Sequence, residues 1–452
     1  MTNRRETTNR RETTNRRETS ATCETSEIAA PLTRADCAAL DTRDPLAPLR
    51  DRFVAAPDGM ICLDGNSMGA LPATAPARMM HALHAEWSAQ RRHAWHTADW
   101  LDAPQRIGAG YAPLIGARAD EVIATDNTTI VLHKLLAYAL GIAAAADPAR
   151  TVIVYERDGF PTDGHVIQGI VRHGGGRWQA RPFETSADPA AMDAALAAAL
   201  APDVAVVVLS HGDYRSSHRW DMADVNRRAR AVGALTLWDL SHTAGAVAVD
   251  LNGTGADFAA VCCYKYLCAG PGAAALAYIR HDLQDRGWPA LPGWLGHGDR
   301  MNFDPAYAPG GGMLALLGGT MPVLQNAVAD CAAAIWAEVD PAAVAAKHRS
   351  LSTTLIRLLD EQCGALGVRV LSPRDPARRA GHVAFACPGG GPVTEALLAD
   401  GVVGSFRQPD VIRFGLSVAT IGHADLWDAV ARLREILATE RWRERRFAEV
   451  SV

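Results

Sequence analysis

Two residues could do chemistry that few other side chains can. Asp239 closes the apolar run Ala234-Leu-Thr-Leu-Trp238 and is followed by Leu240-Ser241-His242. Lys265 follows a later run, Phe258-Ala-Ala-Val-Cys262, in the segment Tyr264-Lys265-Tyr266-Leu267. An acid at one strand end and a lysine beyond another, on one rim of a sheet, is what pyridoxal phosphate requires. The lysine amine bonds the aldehyde carbon, and the acid keeps the ring nitrogen protonated so that the ring draws electrons. Taken alone, Asp239 is an ordinary capping acid and Lys265 a solvated lysine. The pairing gives them meaning. Tyr264 adds a hydroxyl for a phosphate, Gly270-Pro271-Gly272 lets backbone approach closely, and His242 lies three residues past the acid.

Three further groups fit the same site. Thr125-Asp-Asn-Thr-Thr129 precedes the apolar helical stretch Ile130–Leu140, so free amides and two hydroxyls meet at a helix start. That is also the pattern of a plain N-cap. Phe160-Pro-Thr-Asp163 follows the run Thr151–Tyr155 and offers a ring to stack and a second acid. Arg413 lies inside Val411-Ile-Arg-Phe-Gly415, where a buried cation needs an anionic partner. A substrate carboxylate or an internal salt bridge would serve. Gly65-Asn-Ser-Met-Gly69 matches the hydrolase pattern G-x-S-x-G but lacks the preceding core strand and following helix which that elbow needs. No phosphate-loop, zinc-helix or dinucleotide-binding pattern accompanies it, and no metal site is expected.

The elements that must hold these residues read as α/β. Runs at 151–155, 204–209, 234–238, 258–262 and 273–278 are short and continuously apolar, and most are separated by helical stretches such as Met222–Val232. That pattern predicts a mostly parallel sheet covered on both faces. The short link between the last two runs allows one antiparallel strand. A helix is predicted from Val323 through Trp336. Then follow helix 341–365, strands 368–371 and 382–386, helix 393–400, strand 411–416 and helix 423–439, a small α+β domain. The expected organisation is an N-terminal extension 1–38, a segment 39–75 packing on the small domain, a large domain 76–322 and the small domain 323–452.

The chain has 452 residues, 48% hydrophobic and 21% charged, with net charge -5, which suits a globular protein and gives no nucleic-acid surface. Nine scattered cysteines without C-x-x-C spacing point to free thiols in the cytoplasm. No apolar run reaches the about 20 residues of a membrane span, and the alanine-rich stretches 135–147 and 189–201 read as helices packed on the sheet. Residues 2–19 are three copies of Thr-Asn-Arg-Arg-Glu-Thr, a polar repeat that can bury nothing and is expected to be disordered, with order beginning near Leu40.

Six motifs in order carry a resemblance. Leu63–Pro72, Phe160–Asp163, Trp238–His242, Tyr264–Leu267, Gly293-Trp-Leu-Gly-His297 and Gly319–Pro322 resemble the kynureninase family of fold type I, aspartate aminotransferase-like, pyridoxal phosphate enzymes. The resemblance implies a large domain with a seven-stranded-type sheet and a homodimer. It implies hydrolysis of L-kynurenine or 3-hydroxykynurenine to the anthranilate and L-alanine. By position, Thr128, Thr129 and Tyr264 would hold the phosphate, with Trp294 and Thr320. Phe160 would stack on the ring near Asp163. Ser210, Asp239 and His242 would line the cofactor, Lys265 would bond it, and Arg413 with Asn66 would bind substrate. The chain departs from the family at Asp213, Cys268, Leu295 and Val418–Thr420. Those changes are expected near substrate, which leaves open a modified kynurenine or another β-keto amino acid. A cysteine desulfurase or aminotransferase outcome on the same fold is the nearest alternative.

Deleting residues 2–19 is expected to leave the melting temperature and turnover unchanged, because a polar repeat adds no core. Thermal denaturation and steady-state kinetics on the truncated chain check this.

Overall fold

The computed structural model describes residues 30–57, 59–186 and 188–448; the six-residue repeats lie outside the described residues. From Leu32 onward the chain forms one unit. A helix, Arg34–Asp41, comes earlier than the sequence reading allowed. Thr33 and Asp36 cap it reciprocally, a local signal present in the sequence. Its Arg34 pairs with Asp428 of the helix His423–Ala438.

Strands are β1 Ile61–Cys62, β2 Val122–Thr125, β3 Val152–Glu156, β4 Gln179–Phe183, β5 Val204–Ser210, β6 Leu235–Asp239, β7 Phe258–Val261, β8 Ala275–Ile279, β9 Arg369–Val370, β10 His382–Ala386, β11 Val402–Val403, β12 Ser405–Arg407 and β13 Val411–Gly415. Seven of them form the main sheet, in the order β2-β8-β7-β6-β5-β3-β4. Neighbours are parallel except β8, which runs antiparallel to β2 and β7. The link from β7 to β8, residues 262–274, contains Gly-Pro-Gly and no helix, so it lacks the helical crossover that usually returns a parallel strand. Alternate residues face opposite cores. Ile153, Val206, Leu237 and Phe258 join one cluster, and Val154, Val207, Trp238 and Ala259 the other. Burial on both faces explains why these strands are continuously apolar.

β2 and β4 were not legible as strands. β4 lies at the sheet edge and contains Pro182, which an edge tolerates. The helix Thr128–Ala146 packs on the sheet, as the sequence reading of its apolar stretches has it. Its 19 residues are long and apolar enough to cross a membrane, yet Leu135, Leu136, Ala139 and Leu140 are buried among β3, β5, β7 and β8 residues. It is a core helix of the sheet.

The second sheet is antiparallel, β12-β13-β10-β9. The helices Pro341–Cys363 and His423–Ala438 share a core with it through Leu355, Leu359, Val430 and Phe385. β1 pairs in parallel with β11, which brings the N-terminal segment to this domain. The helix Val323–Trp336 packs otherwise than its assignment to the small domain implies. Ala332, Ala333 and Trp336 join the main-sheet core, and Trp336 Nε1 donates to the Leu267 carbonyl at 3.1 Å. The change of core therefore falls after this helix.

Candidate active site

Parallel strands deliver their carboxyl ends to one edge, the usual ligand edge of such sheets. Ser210, the last residue of β5, lies in register with Asp239, the last of β6, and Asp239 with Ala260 of β7. Lys265 follows β7 in the next loop. Gly69 donates its N–H to the Tyr264 carbonyl at 2.8 Å, and a Cβ there would overlap the Lys265 carbonyl oxygen. The glycines of Gly65–Gly69 thus serve close packing on the lysine loop. Ser67 Oγ donates to Asp64 at 2.7 Å, as a turn serine does.

The predicted residues converge. Lys265 Nζ lies 3.1 Å from His242 Nε2 and 5.8 Å from the centroid of the Phe160 ring. Ser241 donates to Asp239 Oδ1 from its backbone N–H at 2.9 Å and its hydroxyl at 2.5 Å, aiming the buried carboxyl. Ser210 Oγ donates to Asp163 Oδ2 at 3.2 Å. Phe160 meets Tyr214 edge-on at 5.4 Å. Only three lysines occur in the chain. Lys134 pairs with Asp126 and Lys347 with Asp44, leaving Lys265 as the one with no carboxylate in ion-pair range among the described residues. That scarcity was a sequence signal not used above.

Burial sets the electrostatics of this rim. Asp163 is pushed well above the usual carboxylate range, chiefly by burial and then by Asp239. Glu156, at the end of β3, is pushed up to about 8 by burial, although Trp220 and the Ser210 N–H donate to it. His242 is held well below its usual value by burial, then by Lys265 and His382. Tyr264 is pushed up to about 12 by burial, so its hydroxyl keeps its proton. Asp163 Oδ1 and His242 Nδ1 are buried and make no hydrogen bond. An unpaired lysine, two unpartnered polar atoms and an aromatic face beside an aimed acid fit pyridoxal phosphate.

Arg413 lies on β13 and is 1% exposed. Its Nη1 donates to the Tyr214 carbonyl at 2.6 Å, and Nε and Nη2 donate to Ser405 Oγ at 3.1 and 3.0 Å. No carboxylate pairs with it among the described residues, so the internal salt bridge is absent. Burial first, then Arg407, brings it down to about 10. Asn66 Nδ2 reaches the same Ser405 at 3.4 Å, and its Oδ1 is unpartnered. Gly415 makes this possible, because a Cβ there would overlap Asn66. Tyr214, Ser405, Ser241 and Glu156 were missed from sequence. Of these, Ser241 was legible as the donor of an Asp-x-Ser turn.

Four predicted residues stand apart. Thr128 opens its helix half-buried, behind the cap Asn127, and Thr129 is exposed. Trp294 stacks on Phe303 at 6.2 Å, and Thr320 is exposed. None shares a hydrogen bond or ring contact with the Lys265 cluster among the described residues. The departures from family pattern also read differently in three dimensions. Leu295 and Cys268 are buried in the cores, and the Cys268 N–H donates to the Lys265 carbonyl at 3.0 Å. Cys268 has φ 60°, a left-handed backbone that costs a non-glycine residue about 1–3 kcal/mol. Asp213 caps its own turn, accepting from Arg215 and Ser216.

The family model and the curated relatives agree on one family. The kynureninase C-terminal domain model matches residues 344–433. A kynureninase of Burkholderia mallei (strain SAVP1) is 41% identical over 416 residues, 92% of this chain and 98% of that protein. One from Pseudomonas fluorescens is 39% identical over the same shares. Among solved structures, the cystine C-S lyase C-DES with cysteine persulfide superposes with TM-score 0.72 at 20% identity, covering 84% of this chain and 98% of that one. A variant of that lyase with glycine covalently linked to the PLP cofactor gives TM-score 0.73, 20% identity and coverage of 85% and 99%. These two likenesses show the fold.

Replacing Arg413 with methionine, Arg413→Met, removes a buried cation that no carboxylate pairs directly among the described residues, although Asp64 attracts it from farther off. The melting temperature is expected to hold or rise, while kcat/KM for an amino-acid substrate falls by about 100-fold or more, near 3 kcal/mol. Calorimetry and kinetics on the one variant measure both; a fall in stability matching the fall in activity contradicts it.

Proposed function

The chain belongs to the kynureninase family of pyridoxal phosphate-dependent hydrolases acting on carbon–carbon bonds, and on that premise we propose that it cleaves the Cβ–Cγ bond of L-kynurenine or 3-hydroxykynurenine, releasing the anthranilate and L-alanine. The observation that carries this reading is Arg413, a buried guanidinium with no carboxylate in ion-pair range among the described residues, contacting the residue whose ring meets Phe160. An α-carboxylate is the anion that completes it.

The bound cofactor supplies an electron sink beside the substrate Cα. The remaining roles belong to the chain. Lys265 holds the cofactor between turnovers and, once displaced by the substrate amine, moves the proton at Cα. Asp239, aimed by Ser241, holds the proton on the ring nitrogen. Phe160 covers a ring face; Asp163, Ser210 and His242 line the cofactor. Tyr264, Thr128, Thr129, Trp294 and Thr320 take the phosphate. Arg413 and Asn66 orient the substrate so that water reaches the γ-carbonyl, with Lys265 or a tyrosine as the base.

A homodimer completes the site in this reading. Trp294 and Thr320 lie apart from their own chain's cluster, and Phe303, which stacks on Trp294, is 69% exposed. Such exposure supports a covered face. Eight described cysteines are free, which supports a cytoplasmic setting.

The desulfurase alternative needs an accessible thiolate. Cys363 and Cys387 are both buried and pushed up to about 12 by burial, which leaves them as inert thiols.

Supplying L-kynurenine and 3-hydroxykynurenine to the holoenzyme is expected to give alanine and the matching anthranilate in equal amounts. Chromatography of both products checks this. Failure of both substrates to give alanine would overturn the substrate reading, and sulfide release from cysteine would favour the desulfurase.

A further inference from the structure

Lys134 is a buried cation that the chemistry above does not use. It lies one and a half turns into the core helix Thr128–Ala146 and is 3% exposed. Its Nζ donates to Asp126 and, at 2.7 Å, to the Leu316 carbonyl. Apolar core surrounds it, with Val131, Leu132, Leu135 and Leu136 as helix neighbours. Taking an ammonium out of water costs several kcal/mol, and an apolar side chain of similar volume in such a place is often neutral or better. The chain otherwise almost always uses arginine as its cation, with only three lysines in 452 residues. What distinguishes this lysine is where its two partners lie.

Asp126 forms the bend between β2 and the helix. It has φ 44°, the left-handed region, so the bend needs support. Thr125 Oγ1 donates to its carboxylate at 2.9 Å, and its carbonyl accepts from Ala275 of β8 at 2.9 Å. The next residues are Asn127, the helix cap, then Thr128 and Thr129. Leu316, the other partner, ends a 3-10 turn, Gly312–Leu316, that leads through Gly318 to Thr320. A Cβ on Gly318 would lie 3.7 Å from Lys134 Nζ, and the Gly318 carbonyl accepts from the Leu295 N–H, beside Trp294. One ammonium thus fixes the start of the helix and the segment carrying Thr320, and that segment in turn holds the Trp294 turn.

We propose that Lys134 is a positioning residue for the phosphate end of the cofactor site, tying the Asp126 bend to the 312–320 segment. The inference rests on the reading of Thr128, Thr129, Trp294 and Thr320 as phosphate ligands. Lys134 does not touch the phosphate. It sets the backbone from which those ligands project, in one protomer or across two.

The test separates phosphate from ring. Cofactor is removed from the holoenzyme, and pyridoxal phosphate or pyridoxal, which lacks the phosphate, is titrated back by visible absorbance. Lys134→Met is expected to raise the Kd for pyridoxal phosphate about tenfold or more and to change that for pyridoxal by less than about twofold. Asp126→Asn, which keeps a side chain tolerant of the left-handed bend, is expected to shift the same preference about threefold, and it decides the matter if Lys134→Met does not fold. Equal weakening of both ligands, or an unchanged preference, overturns the proposal and marks Lys134 as a packing residue. A wild-type protein with no preference for the phosphorylated ligand overturns the phosphate reading itself, and the inference with it. A wild-type preference that the variants retain sinks the inference alone.

Discussion

Charge buried at the carboxyl edge of one sheet is the constraint on which the rest depends. Glu156 ends β3, Asp163 lies in the first turn of the helix that follows it, and Asp239 ends β6, with β5 between the two strands; all three are buried. Three carboxylates in such a place repel one another and lack water. The protein answers with protons and donors. Burial pushes Glu156 and Asp163 up, while Ser210, Trp220 and Ser241 supply hydrogen bonds. What the edge favours is a cationic ring nitrogen, and a single amine, Lys265, stands beside it.

The second sheet presents the complementary problem. Arg413 is a cation enclosed by β12, β13 and the Tyr214 loop, with hydroxyl and carbonyl acceptors in direct contact and Asp64 acting from farther off. Each side therefore holds a cation with no carboxylate in ion-pair range among the described residues, Lys265 on one and Arg413 on the other. In the proposed function an amino-acid substrate sets its amine toward the lysine and its carboxylate toward the arginine. Preorganised charge of this kind costs stability and is kept where binding recovers it.

Much of this was legible in the sequence, for identifiable reasons. β5, β6 and β7 are buried on both faces, so their apolar runs announced a parallel sheet and fixed which residues lie on its rim. Arg413 was conspicuous because a lone charge in Val-Ile-Arg-Phe has few explanations. β4 was not legible, since an edge strand with Pro182 and Arg181 carries no such run. The left-handed bend at Asp126 and the placement of Leu295 and Cys268 in the cores depend on tertiary packing, which no local pattern reports. Trp294 and Thr320 carry motif likeness but share no hydrogen bond or ring contact with the cluster among the described residues, so their placement was not legible from the motif.

The central claim is that Lys265 is the amine that bonds the cofactor. Three lysines make the measurement clean. Holoenzyme reduced with borohydride, digested and mapped by mass spectrometry should carry the phosphopyridoxyl group on Lys265 alone, in the peptide containing Tyr264 and Tyr266. The same group on Lys134 or Lys347, or on none of the three, would contradict it.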